Sequence, residues 1–498
     1  MQTNQEEYEM RSTVLKSLFL IVVFLSPLFN LAFADELDDF IAAQMQQRQI
    51  PGLQLAVVQH NKIIRTGSYG LANIEDSVAV DNNTVFSINS MTKAFAGVAI
   101  MQLVEQGKLD LSAPIGSYLP ELPKAWQQLN TKQIMGHTSG LPAILANDFG
   151  KLIVEDDPQA SWEKVQTLPM AFDTGSNFKY NQTNYIIVGK LIEKLTGQPF
   201  AEVITNQQLK QVGMPRTVEA GFDNLNNVVS HSAKRYTTYY TGELTNIRSE
   251  IFSNMLYPAA GMSSTATELA NWVIALQTNE LLKQQGSLAT LWTPARLDNG
   301  HPKGFNRLLS GYALGWPIVA RNEHPAAAPV GGNRSGLFVY PEDDLAIVVL
   351  TNLMGGSPDR FIDDIAGFYV EDMQKQNGFG LPQNIKTFYL VLEKQGYNKA
   401  SEIAKTLNNQ FAESDINNFG YWLVNQNKLQ QALAVFELNT QLYPNSANTY
   451  DSVAETQWRL GHIQIAIAGY QKVLELQPDN RNAKKQLAKL KQIQSDNI

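Results

Sequence analysis

Two hydrophobic textures divide the 498-residue chain. As far as Met373, short β-rich runs are mixed with helical stretches and no internal period is visible. Beyond the Gly, Pro and Asn cluster KQNGFGLPQN the pattern is almost wholly helical. Near the start, LQLAVVQHNKIIRTG sets apolar runs at residues 53–58 and 63–64 around His60-Asn61, which predicts a strand pair closed by a tight turn. Near the far end, LAIVVLTN (345–352) follows the turn signal Pro341-Glu342-Asp343-Asp344 and predicts another strand. Phe361, Ile365 and Phe368 share one face at helical spacing and predict a helix through DRFIDDIAGFYVEDM. Strands at both ends with helices between predict one α+β domain over residues 35–374, its antiparallel sheet assembled from the two ends of the segment.

Residues 375–384 read as a linker and 385–498 as an all-α module. In that module Gly420 and Ala454, Ala432 and Ala466, Phe436 and Tyr470, and Pro444 and Pro478 each stand 34 residues apart. Small residues let two helices cross closely, the aromatic fills the next groove, and proline ends the second helix. The module resembles tetratricopeptide repeats, with copies at 413–446 and 447–480, a degenerate hairpin at 385–407 and a final helix after Asn482. Such repeats leave room for a protein partner.

The first 34 residues stand apart. The apolar run at residues 18–34 follows Arg11 and Lys16 and ends in Ala32-Phe33-Ala34, a small-x-small cleavage pattern. It reads as a secretory signal, with Met10 an alternative start because Glu6, Glu7 and Glu9 sit oddly before an export signal. The rival, an uncleaved anchor, is weakened by Pro27 and Asn30 and by shortness, so no stable membrane span is expected after cleavage. Composition adds exclusions. The chain has no cysteine, which removes disulfides, thiolate metal sites and cysteine nucleophiles. A formal charge of −8 with no dense basic run argues against nucleic acid as partner and leaves small molecules or peptides. Export without disulfides fits a secreted or periplasmic location in a bacterial envelope.

Candidate chemistry begins in FSINSMTKAF (86–95), where Ser90 precedes Lys93 by three residues. The stretch that follows, SMTKAFAGVAIMQLVEQG, reads as a buried helix with Ser87 or Asn89 capping its start. One helical turn places serine and lysine on one side. Burial and the helix dipole both push a lysine there toward its neutral form, able to accept the serine proton. Taken alone, the spacing fits ordinary helix capping better than an armed nucleophile.

An ordered series of segments changes that picture: KLDLSAPIGSYLPELP (108–123), MGHTSGLP (135–142), FKYNQTNYIIVGKLIEKLTG (178–197), AAGMSSTATELANWV (259–273), GYALGW (311–316) and VGGNRSGLFVYPEDDLAIVVLTN (330–352). With Ser90 and Lys93 these resemble the serine β-lactamase and penicillin-binding protein family, in particular its class C, D-alanyl-D-alanine carboxypeptidase and esterase branch, over most of residues 36–370. The resemblance implies a β-lactamase/transpeptidase-like fold and an acyl-enzyme on Ser90, with Lys93 and Tyr180 moving its proton. The family's Tyr-x-Asn reads Tyr180-Asn181-Gln182 here, so Gln182 would contact a substrate carbonyl through a longer side chain, with Asn181 and Asn184 as neighbours able to substitute. The third family motif, Lys-Thr-Gly or His-x-Gly, falls on Pro329-Val330-Gly331-Gly332, without the cation that binds a substrate carboxylate. Arg334 either supplies that charge from another direction or is a solvated loop residue. Gly331 and Gly332 would let the backbone approach a ligand, the oxyanion being held by the N–H groups of Ser90 and Gly332. His137 and Ser139 of GHTSG are expected to structure a loop. The six histidines show no short metal-ligand spacing, and no metal or cofactor is expected.

The expected function is thus a secreted serine hydrolase acting as peptidase, esterase or amidase, including on D-amino-acid peptides or peptidoglycan fragments, with at most weak β-lactamase activity. The rival is a non-enzymatic penicillin-binding-like envelope protein whose repeats recruit a protein partner.

Overall fold

A computed structural model describes residues 36–146, 151–155, 157–222, 228–240, 242–247, 253–407 and 411–496. The segment read as a signal peptide lies outside them. Among the described residues no helix is long and apolar enough to cross a membrane. Two compact units divide between Phe368 and Tyr369.

In the first unit the expected strand pair forms as β1 (Gly52–Gln59) and β2 (Lys62–Asn73). His60 and Asn61, at φ 52 and 54, supply the two left-handed residues that a tight hairpin needs. The other strands are β3 (Val78–Ala79), β4 (Phe86–Ser87), β5 (Tyr236–Thr237), β6 (Thr245–Asn246), β7 (Ser263–Ser264), β8 (Gly311–Tyr312), β9 (Pro317–Val319), β10 (Ala326–Ala327), β11 (Val330–Gly331), β12 (Ser335–Tyr340), β13 (Leu345–Thr351) and β14 (Leu353–Met354). The main sheet runs β3-β2-β1-β13-β12-β10-β9-β8, with β11 also on β12. Every pairing in it is antiparallel, and β1 beside β13 joins the two ends of the segment as the pattern predicted.

β12 and β13 are buried along their whole length, and β1 along all but its last residue, which is why they read as continuous apolar runs rather than alternating ones. On β13 the residues Ala346, Val348 and Leu350 join the main core, together with residues of helices Thr92–Glu105, Gln182–Thr196 and Ala266–Gln277. Phe95 stacks on Trp272 at 4.0 Å in that layer. The helix expected through residues 359–373 is shorter: Ile362–Ala366, flanked by 3-10 turns Pro358–Arg360 and Glu371–Met373. It stops at Gly367, a poor helix former, where the bonding tightens to Phe368 N–H on Ile365 O. Phe361 and Ile365 are buried as expected, Phe368 only in part.

The second unit is all-helical. Helices Gln383–Gln395 and Ala400–Thr406 precede Glu413–Asn425, Leu429–Leu442, Ala447–Arg459, Ile463–Leu476 and Arg481–Asp496. Residues 413, 447 and 481 begin helices at an interval of 34. Close crossings occur where the small residues stand: a Cβ on Gly420 would lie 2.3 Å from the Phe436 ring, and one on Gly469 would lie 2.8 Å from the Ala454 Cβ. Tyr470, the counterpart of Phe436, is 1% exposed.

Candidate active site

The chain approaches Ser90 along a short ladder. β4 pairs with β7, and the Ile88 N–H donates to Met262 O at 3.0 Å, fixing the backbone up to the turn. Asn89 then takes a left-handed φ of 45, which asparagine tolerates better than most residues. The 3-10 turn Asn89–Met91 leads into helix Thr92–Glu105. Neither Ser87 nor Asn89 caps this helix, contrary to expectation. Instead Ser87 Oγ donates to Asn89 Oδ1 at 2.8 Å, and Thr92 Oγ1 donates to Asn89 O at 2.6 Å. Those side chains brace the strained turn rather than the helix end.

Lys93 is fully buried. Its Nζ donates to Ala259 O at 2.6 Å, lies 3.4 Å from Ser90 Oγ, and sits 4.7 Å over the Tyr180 ring and 5.0 Å over the Tyr185 ring. Burial lowers the Lys93 pKa well below that of a solvated lysine. A neutral amine has two N–H groups and one lone pair, enough to donate to Ala259 O and accept the Ser90 hydroxyl proton. Tyr180 shifts the opposite way. Burial pushes its phenol up to about 12, while hydrogen bonds with the Ser90 and Gln182 side chains pull it down. Two adjacent titratable groups pushed apart in this manner meet the requirement for a base and a proton donor at one site.

Around Tyr180 the polar neighbours have distinct tasks. Asn181 is buried: Oδ1 accepts the Thr183 N–H at 2.9 Å, and Nδ2 donates to Leu141 O and Pro142 O. Asn184 Oδ1 accepts from Ser139 Oγ at 2.7 Å, and its Nδ2 lies 3.0 Å from His137 Nδ1. Both amides are committed to the scaffold, so neither substitutes for the family's asparagine. Gln182, the first residue of helix Gln182–Thr196, hydrogen-bonds Tyr180, and its Oε1 is buried without a hydrogen-bond partner among the described residues. That free acceptor suits a substrate N–H, and the amide's second Nε2 hydrogen keeps Gln182 the candidate for a substrate carbonyl.

The third-motif segment lies opposite. The Leu337 N–H donates to Pro329 O at 3.0 Å, so the segment continues the pairing along β12. A Cβ on Gly331 would stand 1.9 Å from Ile88 O, and one on Gly332 would stand 2.9 Å from Asn89 Cγ. Gly332 also takes φ 55 and Asn333 φ 50, closing the hairpin, with Arg334 N–H on Gly331 O at 2.9 Å. Only glycine allows this approach to the Ser90 turn. Arg334 is 1% exposed and its Nε lies 3.2 Å from where a Gly332 Cβ would be. The solvated-loop alternative for Arg334 is therefore wrong: the hairpin turn folds its side chain inward beside Gly332.

Aromatic rings line the Tyr180 side. Phe305 meets Tyr180 edge-on at 5.0 Å and stays 40% exposed, and Phe178 meets Phe305 at 5.9 Å. His137 is fully buried among Tyr180, Tyr185 and Tyr312 at centroid distances of 4.5, 5.3 and 4.6 Å. Sequence reasoning did not place His137, Ala259, Phe305 or Tyr312 in the site. The GHTSG spacing was the available signal for His137, whereas a backbone carbonyl such as that of Ala259 leaves none. Among the described residues no three His, Cys, Asp or Glu side chains gather for a metal.

This arrangement, with the sheet and helical layer behind it, is the β-lactamase and penicillin-binding fold. Residues 37–371 match the Beta-lactamase family, and the chain belongs to it. It is 25% identical over 324 residues to Protein flp of Staphylococcus aureus (strain N315), a match spanning 64% of this chain and 63% of that protein, so less than two thirds of the relative's length is covered. It is also 25% identical over 361 residues to a beta-lactamase of Providencia stuartii, covering 65% of this chain and 88% of the other. Among solved structures, the octameric penicillin-binding protein homologue from Pyrococcus abyssi superposes with a TM-score of 0.59 at 20% identity, over 73% of this chain and 82% of that one. A penicillin-binding protein from Bacillus halodurans gives 0.51 at 22% identity, over 65% of this chain and 99% of that one. At such identities the superpositions carry the fold alone.

Proposed function

We propose that the protein is a hydrolase of the esterase, amidase or peptidase kind, working through an acyl-enzyme on Ser90. The observation that carries this is the buried Lys93 amine held between Ala259 O at 2.6 Å and Ser90 Oγ at 3.4 Å, under the Tyr180 ring. Lys93 Nζ takes the Ser90 proton as Oγ bonds to the substrate carbonyl carbon, and the resulting oxyanion lies between the N–H groups of Ser90 and Gly332. The carbon–oxygen or carbon–nitrogen bond to the leaving group then breaks. Tyr180 gives that group its proton and is reprotonated from the Lys93 ammonium. Water attacks the acyl carbonyl in the second half; its proton passes to Lys93 and from there to Ser90 Oγ as the bond from the acyl carbon to Oγ breaks, which frees the acid and restores the Ser90 hydroxyl and the neutral Lys93.

Pro329 brings no charge to the strand where the family places a cation, which disfavours substrates that depend on carboxylate recognition, efficient β-lactam hydrolysis among them. Phe305, exposed beside Tyr180, favours an apolar or aromatic group on the substrate. Small esters and peptides, including D-amino-acid peptides and peptidoglycan fragments, are the class proposed. The run at 18–34 supports work outside the cytoplasm, and the tetratricopeptide-like helices support a protein partner for the second unit.

Gln182 and Pro329 favour one rival, a ligand-binding platform without turnover. Incubation with a fluorescent penicillin and an activated ester, read by intact mass, separates the two. An adduct present in the wild type and absent in Ser90→Ala supports the hydrolase, and folded protein that forms no adduct with any acyl donor removes it.

A further inference from the structure

We propose that His137 is a positioning residue that clamps Tyr180 from both sides. This rests on the reading of Tyr180 as proton donor given above. The GHTSG loop follows helix Thr131–Met135, whose start is fixed by a capping box between Asn130 and Gln133. His137 comes two residues after that helix, at a left-handed φ of 60, a conformation that a residue other than glycine adopts only when its surroundings enforce it. What enforces it lies more than 40 residues along the chain. The His137 carbonyl accepts the N–H of Lys179 at 3.0 Å, and its Nδ1 accepts the N–H of Asn181 at 3.2 Å. The N–H groups of the residues on either side of Tyr180 are thus both held by one residue, one through its main chain and one through its side chain.

The ring itself completes the clamp, standing 4.5 Å from the Tyr180 ring and edge-on to Tyr312 at 4.6 Å. Its tautomer follows from its donors. A backbone N–H can only donate, so Nδ1 carries no proton, and Asn184 Nδ2 at 3.0 Å is a second donor to it, oriented by Ser139 Oγ on Asn184 Oδ1. The proton therefore sits on Nε2, which is buried without a hydrogen-bond partner among the described residues. Burial holds the ring in its neutral form, and Lys93 adds to this whenever it carries a proton. A protonated ring would carry a hydrogen on Nδ1 and break the bond to Asn181. Ser139, expected only to structure a loop, and Asn184 become the support that fixes this acceptor.

The clamp separates two substitutions. His137→Phe keeps a ring of similar size and the same backbone demand but removes the acceptor. His137→Asn loses the ring, yet places an amide oxygen near the Nδ1 position on a residue that tolerates positive φ. The rate of acylation by an alkyl ester, whose departing alkoxide needs the Tyr180 proton, read as release of the alcohol, should fall about tenfold or more in His137→Phe, with the ester concentration at half-saturation little changed, and should stay within a few-fold of wild type in His137→Asn. In a Tyr180→Phe background His137→Phe should cost little more. Equal rates in the two His137 variants, or a loss that multiplies fully with that of Tyr180→Phe, would overturn the clamp. A Tyr180→Phe protein as fast as wild type would instead overturn the catalytic reading on which it rests. Nitrogen-15 NMR of histidine-labelled protein tests the tautomer without any turnover: a neutral His137 protonated on Nε2 is expected, and protonation on Nδ1 contradicts the proposal.

Discussion

A lysine whose Nζ lies 2.6 Å from a buried carbonyl and 3.4 Å from a serine hydroxyl works as a base only while it is neutral. Burial lowers the pKa of Lys93 and raises that of Tyr180 to about 12, so the two groups fix the shape of the pH profile. As pH falls through the lowered Lys93 value the amine protonates and acylation slows. Toward alkaline pH no second limb is expected below about 12, because the phenol keeps its proton. Adduct formation measured across pH should therefore show a single acid limb, absent only if another group sets the rate. Lys93→Arg should abolish it at every pH, since a guanidinium does not deprotonate. The spacing of Ser90 and Lys93 was legible in the sequence because one helical turn fixes it. The place of His137 was not, because its partners Asn181 and Asn184 are brought to it by tertiary structure and a lone histidine in a polar loop carries no local period.

At the scale of elements, β11 and the turn after it are the proposed place of substrate selection. Gly331 and Gly332 permit the approach to Ile88 and Asn89, and Pro329 stands two residues before Gly331, on the same side of an alternating strand. Pro329→His restores a basic side chain facing the Ser90 turn. It should raise adduct formation with carboxylate-bearing donors relative to neutral esters severalfold, and an unchanged ratio would show that carboxylates are read elsewhere, with Arg334 the first residue to test. The long strands β1 and β13 were plain from their apolar runs and turn signals. Strands β8 to β11 were not, since each is two or three residues long and offers no alternation to read. The helix drawn through residues 359–373 was overdrawn for a related reason: one apolar face was counted, and the weakness of Gly367 was not.

For the whole molecule, the apolar cores follow the two textures of the sequence. The main cluster draws on residues between Ala56 and Leu350, while a separate cluster from Ile385 to Leu438 belongs to the helical unit. A side chain at Gly420 would drive into Phe436, so Gly420→Leu should destabilise the helical unit by about 1–3 kcal/mol. Thermal unfolding should show an earlier transition, with the rate of adduct formation on Ser90 unchanged; a rate that falls with that transition would mean the site depends on the helices. The 34-residue period was visible because small and aromatic residues recur at the helix crossings, whereas a partner proposed for the helical unit has no comparable mark in the sequence.

The most direct test of the account is intact-mass analysis of the protein after exposure to an activated ester. The account predicts a covalent acyl adduct that maps to Ser90, is lost in Ser90→Ala and decays with release of the free acid. Folded protein that forms no adduct with any acyl donor, or an adduct that persists in Ser90→Ala, would contradict it.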